Sequence, residues 1–282
     1  MLWDRSIFLL DCNTKIMIKK YFLGLVSLFL LFIITGCVLN EKINLPKLPV
    51  EDIIQTGQDF FQETATDTEV LTETETIDEQ TDLYSVKASY PQIKLTDEEI
   101  AQTINEELEN LVLSEINNFK EAALESGESP LPEVISSIEI GYKIDYLDEN
   151  LLSLHFTVST YMAGAAHPYS YSVVYNYDIA NDWEIELADL FYEDSNYVEK
   201  ISEIAQSDLE QKLADNFLFK EGVAPDEENF ENFVLEADSV KILFDPYAVA
   251  PYAAGPQEVE IKYQELKDLF DPEGPIGYLV SF

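Results

Sequence analysis

The chain has 282 residues, 55 of them acidic and 16 basic, for a formal charge of -39 at neutral pH. A charge that negative excludes a protein that tracks nucleic-acid phosphates, because such proteins neutralise the backbone with Lys and Arg. Apolar residues make up 46% and aromatic residues 12%, enough to bury a core and too much for disorder throughout.

The first element in chain order is an address. Tyr21–Ile34 is a run of fourteen residues, apolar except for Ser27, that follows Lys19-Lys20 and ends at Ile34-Thr35-Gly36-Cys37. It falls short of the roughly 20 apolar residues of a membrane span and fits the h-region of a secretory signal. Its end looks like the bacterial lipoprotein cleavage box, in which the Cys37 thiol accepts diacylglycerol. Residues 1–36 are therefore expected to be a signal peptide, with Met17 as a more ordinary start than Met1. An uncleaved N-terminal anchor is the alternative. Two or more acyl chains hold a protein stably on a bilayer, so Cys37 implies a membrane partner and an extracytoplasmic location. The other cysteine, Cys12, lies in the removed part. The mature chain, without the two acids and four bases of residues 1–36, carries 53 acids against 12 bases, net -41.

Residues 37–82 then read as a lipidated tether. No basic residue occurs between Lys47 and Lys87, and Thr and Glu dominate, a composition that repels itself and buries little apolar surface. A folded domain is expected over 83–282, with a strand-helix part at 83–130 and a sheet-helix part at 131–282. Tyr84–Tyr90 alternates as a strand that should stop at Pro91, and Thr96-Asp97-Glu98-Glu99 reads as a capping box. Ile100, Ile104, Leu108, Leu111, Val112, Phe119 and Ala123 recur at helical spacing toward Gly127.

Three strands follow. Their single faces are Ile138, Ile140, Tyr142, Ile144 and Tyr146; then Leu152 to Met162 in steps of two; then Tyr169, Tyr171, Val173, Tyr175 and Tyr177. A second helix is expected from about Asp194 to Phe219, then short strands at Phe233–Leu235, Val240–Phe244 and Val259–Tyr263, and a helical turn near Leu266–Phe270. The fold class is α+β, an antiparallel sheet with two main helices packed on it.

Chemistry is sparse. His155 falls on the polar face of its strand, as a solvated or hydrogen-bonded residue. His167 sits in a run of small residues between two strands, either capping a loop carbonyl or meeting a ligand. No cysteine or histidine spacing suits a metal, and no phosphate-binding, dinucleotide or nucleophile-elbow motif occurs. No cofactor or metal is expected, and no enzyme activity. The stretch Phe244–Pro256 carries three prolines, a glycine, Tyr247 and Tyr252. It is either a connector whose tyrosines finish the core or a stiff contact loop with little freedom to lose.

Gly164-Ala165-Ala166-His167, Leu187–Phe191, Phe244–Tyr247 through Pro251–Gly255, and Ile261–Leu266 come in one order. Together they resemble the extracellular domain of the RsiV family, also found beside the deacetylase domain of PdaC, over roughly residues 83–270. The resemblance implies an α+β domain and, from RsiV itself, binding of lysozyme, a strongly basic protein. RsiV proteins carry a sigma-binding segment before a transmembrane helix, whereas the apolar run here ends in Cys37, and no deacetylase domain is expected. Anti-sigma activity and deacetylation are therefore not implied. Ala165 replaces the family's usual second glycine. The leading expectation is a lipid-anchored, non-catalytic binding module for a cationic protein such as a lysozyme-like muramidase. Its contact residues would be Tyr161, His167, Tyr169, Asp245, Tyr247, Pro251, Tyr252 and Gly255. The competitors are a cell-envelope hydrolase of peptidoglycan or sugar esters using His167 with Asp245, and a structural envelope lipoprotein.

Overall fold

Alternation places the strands and capping places the long helix. The computed structural model describes residues 71–126, 134–213 and 218–280; the signal segment, Cys37 and the tether up to residue 70 lie outside the described residues. In order the elements are β1 (Leu71–Gln80), β2 (Tyr84–Lys94), α1 (Glu98–Ser126), β3 (Ser136–Leu147), β4 (Leu151–Tyr161), β5 (Tyr169–Asp178) and β6 (Trp183–Glu184). Then come α2 (Tyr197–Lys212), β7 (Phe233–Leu235), β8 (Ser239–Phe244), β9 (Gln257–Lys262) and α3 (Tyr263–Leu266). The fold is α+β. It has a six-stranded sheet in the order β1 to β6 and a three-stranded antiparallel sheet, β7-β8-β9.

Several expectations are corrected. The six-stranded sheet is mixed, because β2 and β3 pair in parallel with α1 as their crossover, as a parallel pair requires. Residues 71–80 are a strand and not tether: β1 pairs with β2 from Leu71↔Lys94 to Gln80↔Ser85. Two of its glutamates find cations, Glu73 with Lys94 across the pairing and Glu79 with Lys120 of α1, while Ile77 packs on the core. The strand β2 continues through Pro91, which lies opposite Thr74 and beyond Ala88, the last β2 residue paired to β3. A proline is tolerated there because its missing N–H falls where β2 has only one neighbour. The cap of α1 is Asp97 and not Thr96: its Oδ1 accepts from the Glu99 and Ile100 amides at 3.0 and 3.3 Å.

The helix α1 buries Ala101, Ile104, Leu108, Val112, Ile116, Phe119 and Ala123 against one face of the large sheet, on Val86, Ile138, Ile140, Leu154, Phe156 and Val158. A β-bulge between Ile144 and Tyr146 interrupts β3. It turns Tyr146 away from Ile144's face, so Tyr146 packs against the core shared by α2 and the small sheet while Ile144 stays in the core under α1. Two helical expectations are also corrected: α2 ends at Lys212, with Leu213 as its C-cap and residues 214–217 outside the described residues, and the last helical turn lies at Tyr263–Leu266, ahead of the expected Leu266–Phe270.

The small sheet joins the other face of the large one through buried polar groups. Ser153 Oγ donates to Asn176 Oδ1 at 2.6 Å and accepts the Leu235 amide at 2.7 Å, while Asn176 Nδ2 donates to the Phe233 carbonyl at 2.9 Å. Ser153, Leu235, Asn176 and Phe233 are all buried. Side chains of β4 and β5 thus serve the backbone of β7, whose own partner β8 leads directly into the Phe244–Pro256 loop. Beside this junction His155 hydrogen-bonds Asp145 at 2.7 Å, the hydrogen-bonded alternative of the two expected for it.

Replacing Ser153 with Ala leaves a buried amide without an acceptor and should cost about 1–3 kcal/mol in denaturant unfolding. Ser159→Ala on the same strand loses only a half-buried hydroxyl contact with Ser170 and should stay within about 0.5 kcal/mol. Equal losses would contradict the junction's role.

Candidate functional site

Two loops, one from each sheet, meet at an aromatic cluster. The first joins β4 to β5 through a tight turn closed by the Ala165 amide on the Met162 carbonyl at 2.8 Å. The second follows β8. In it Val249 and Ala250 are buried, whereas Tyr247 is 53% exposed, so the loop is anchored by its small apolar residues and presents its tyrosine. The anchoring is tight. The Phe219 amide donates to the Val249 carbonyl at 2.7 Å, and a Cβ on Gly222 would lie 2.0 Å from the Ala248 carbonyl oxygen, so only glycine allows that approach.

The rings interlock. His167 stacks on Tyr252 with centroids 4.0 Å apart and planes 27° from parallel, and Tyr252 meets Tyr247 at 5.6 Å. The Pro168 carbonyl accepts from both partners, from Tyr252 Oη at 2.7 Å and from His167 Nδ1 at 2.9 Å. His167 therefore does cap a loop carbonyl, as one of its two expected roles had it, and it also forms one wall of the cluster. Tyr169, 40% exposed, continues the surface and meets Tyr171 at 5.9 Å.

Asp245 ties the second loop to β5. Its Oδ1 accepts the Ser172 amide at 2.9 Å, a contact that periodicity could not reveal because Ser172 reads as an ordinary polar-face strand residue. Burial raises the Asp245 pKa, and the Ser172 amide and hydroxyl oppose that only in part. The Tyr169 hydroxyl is raised by burial first and then by the Asp245 charge. Tyr171 is pushed far up by burial and by its bond to Glu115 of α1.

Tyr247 is the strained member. The Ala248 amide closes a turn on the Asp245 carbonyl at 3.0 Å, with Pro246 and Tyr247 at its centre, and Tyr247 takes φ +74°. That position usually holds glycine. A tyrosine there is a conformational cost of order 1 kcal/mol.

The remaining expected residues divide. Pro251 leads into the 3-10 turn Tyr252–Ala254, which Gly255 ends at φ +71°, ψ -173°. Tyr161 stands apart: its backbone pairs with Ser137 on the β3 side, and among the described residues no ring contact joins it to His167 or Tyr252. Among the described residues no hydrogen bond links His167 to Asp245, since each is engaged by a different backbone group. Nor does any group of three or more His, Cys, Asp or Glu among them converge as a metal site.

Comparison with known proteins divides the chain along the same lines. Residues 77–170 match the family model described as "Deacetylase PdaC", and residues 188–264 match "Protein of unknown function (DUF3298)". Peptidoglycan-N-acetylmuramic acid deacetylase PdaC of Bacillus subtilis (strain 168) is 34% identical over 137 residues, covering 48% of this chain and 29% of that protein. The chain thus spans less than a third of this relative's length. A DUF3298 structure from Bacteroides fragilis has a TM-score of 0.53 at 20% identity, covering 76% of this chain and 98% of its own. Another, from Pseudomonas aeruginosa PAO1, has a TM-score of 0.51 at 15% identity, covering 73% and 96%. The chain has the fold of the DUF3298 structures. His167 and Tyr169 fall in the first matched segment, and Asp245 to Gly255 in the second, so the aromatic face needs both.

Two substitutions probe this geometry. A Cβ on Gly255 would meet nothing within 4 Å, yet its backbone conformation is one that only glycine adopts freely. Gly255→Ala should therefore cost about 1–3 kcal/mol, whereas Gly141→Ala, equally open but in ordinary strand conformation, should cost nothing measurable in thermal unfolding. Because the folded pKa of Asp245 is raised, its contribution is present below the unfolded Asp value and lost as pH rises through the folded one. Asp245→Asn keeps an oxygen for the Ser172 amide and should flatten that part of the acid-range stability profile.

Proposed function

We propose that this chain is a lipid-anchored protein of the bacterial cell envelope, facing outward from the membrane. Its RsiV-like domain acts as a non-catalytic binding module for a cationic protein. The observation that carries the reading is the aromatic face, where His167 and Tyr252 lock two loops together and Tyr247 is held outward in a strained conformation. A fold tolerates such strain when the presented ring serves a partner. Rigid aromatic rings give wide contact at low entropic cost, which is why they dominate binding hot spots. Engagement of His167 and Asp245 by backbone groups supports binding over hydrolysis.

Location in the envelope is supported by the signal-like run ending at Cys37 and by likeness to a protein named for action on peptidoglycan. The partner's chemistry follows from charge. At net -39 over the chain, the long-range field accelerates encounter with a basic protein, and salt weakens it over a Debye length of about 8 Å at physiological strength. A lysozyme-like muramidase, basic and working in the same compartment, fits that description.

The test is titration of the full chain in detergent with a basic lysozyme. Binding should weaken as salt rises, and Tyr252→Ala should weaken it at least about tenfold. Tyr247→Gly should raise the unfolding midpoint by removing the left-handed strain while weakening binding. A Tyr247→Gly chain that is more stable and binds as well as the native one would contradict the reading.

A further inference from the structure

The described sheets have four edges, and neighbouring groups engage three of them. Beside the two-residue β6, Asp245 holds the Ser172 amide of β5, and the Ile185 amide donates to the Asn176 carbonyl at 2.8 Å. At β7 the same duty falls to Ser153 and Asn176. At β9 Lys212 Nζ donates to the Glu258 carbonyl at 2.9 Å. The fourth edge is β1, which among the described residues ends its sheet with no strand on its outer side. It runs ten residues, against a usual strand length of about 5–6, in unbroken register with β2 and without proline or glycine. Residues 72–76, 78 and 80 are exposed. The direction of its backbone follows from Asn105, whose Oδ1 accepts the Ile93 amide at 2.7 Å and whose Nδ2 donates to the Ile93 carbonyl at 2.9 Å. Ile93 therefore makes no backbone bond to its partner Thr72. By antiparallel alternation Thr72, Thr74, Thr76, Asp78 and Gln80 turn their N–H and C=O groups outward. A long, regular edge of that kind is a template for another strand.

Charge is the usual guard of such an edge, and β1 carries Glu73, Glu75, Asp78 and Glu79. Lysines offset three of the four. Glu73 bonds to Lys94, Glu79 bonds to Lys120, and Asp78 lies opposite Lys87 in the pairing. In a chain with 55 acids and 16 bases, three lysines beside four acids leave this edge nearly neutral. A cationic partner gains little from it, and a second acidic chain loses little by approaching it. We propose that β1 is a dimer interface, at which two copies of this chain pair their β1 strands antiparallel about a two-fold axis. The interface is independent of the aromatic face, and β1 and β5 stand near opposite ends of the strand order. An axis at Thr76 sets Glu75 against Ile77 and Asp78 against Thr74, while the facing Glu73 and Glu79 each hold a lysine. An axis at Thr74 would oppose Glu73 to Glu75, and one at Asp78 would oppose that residue to itself. One strand pair is a small interface, so the dimer is weak and concentration-dependent. Repulsion between two chains of net -39 limits it further, and salt screens that repulsion over about 8 Å at physiological strength.

The experiment is sedimentation of the full chain in detergent over rising protein and salt concentrations, with amide exchange followed in parallel. The dimer should tighten as salt rises, the opposite of the salt response expected with lysozyme. Exchange at Thr72, Thr74, Thr76, Asp78 and Gln80 should slow as protein concentration rises, while the alternate amides of β1, already bonded to β2, stay unchanged. Thr76→Pro removes an outward N–H that β2 does not use, so it should leave only folded monomer. Lys94→Ala, which keeps the edge backbone intact, should weaken the dimer about fivefold by leaving Glu73 bare opposite Glu79. A native chain that stays monomeric at every salt concentration would overturn the interface, as would a dimer that survives in folded Thr76→Pro. Should Thr76→Pro fail to fold, an unchanged dimer in Lys94→Ala overturns it instead. Slow exchange of the five outward amides already in the dilute monomer would assign the edge to another segment of the same chain, and would overturn it too.

Discussion

The buried exchange of hydrogen bonds among Ser153, Asn176 and the backbone of β7 is the constraint on which the rest of the structure depends. Two sheets packed only through apolar contact can slide, because the hydrophobic effect has no direction. Hydrogen bonds from β4 and β5 side chains to Phe233 and Leu235 remove that freedom at one point. Everything carried by β8, the strand paired to β7, is then set relative to β5. The Asp245 contact with Ser172 is a second pin farther along the same strand. Between them the pins place the Tyr247–Gly255 loop against His167, so an aromatic face made of two distant chain segments inherits the rigidity of the core.

Much of the fold was legible because burial acts with the period of each element. Leu152, Leu154, Phe156 and Val158 alternate in sequence and are fully or almost fully buried on one face of β4, and the short strands β7, β8 and β9 fall within two residues of their apolar runs. The misses have physical causes. Composition argued that the Thr- and Glu-rich segment stays unpaired, but the cations that offset β1 come from Lys94 and Lys120, far off in sequence. The one-residue bulge in β3 moves Tyr146 to the opposite core, and no alternating pattern announces where a strand slips register. The parallel pairing of β2 with β3 is a tertiary choice, made once α1 covers both.

The candidate site was legible as two unusual loops but not as a site. Prolines, small residues and tyrosines marked each segment as stiff, and that stiffness is visible in the buried Val249 and Ala250 and in the glycine conformation at Gly255. What periodicity could not supply was the closure between them: that Tyr252 reaches the Pro168 carbonyl, and that Asp245 serves a β5 amide. Such contacts depend on the inter-sheet junction, whose members Ser153 and Asn176 look like polar-face residues in any strand pattern. Tyr161 shows the converse, since nearness in sequence to His167 does not bring it into the ring cluster.

The central claim is that one partner engages both loops at once, as a single surface. Hydrogen exchange on the full chain with and without a bound basic lysozyme tests it most directly. The account predicts slowed exchange at residues 167–172 and at 247–255 together, with β1 and the outer face of α1 unchanged. Protection of only one loop, or of the acidic β1 edge in place of both, would contradict it.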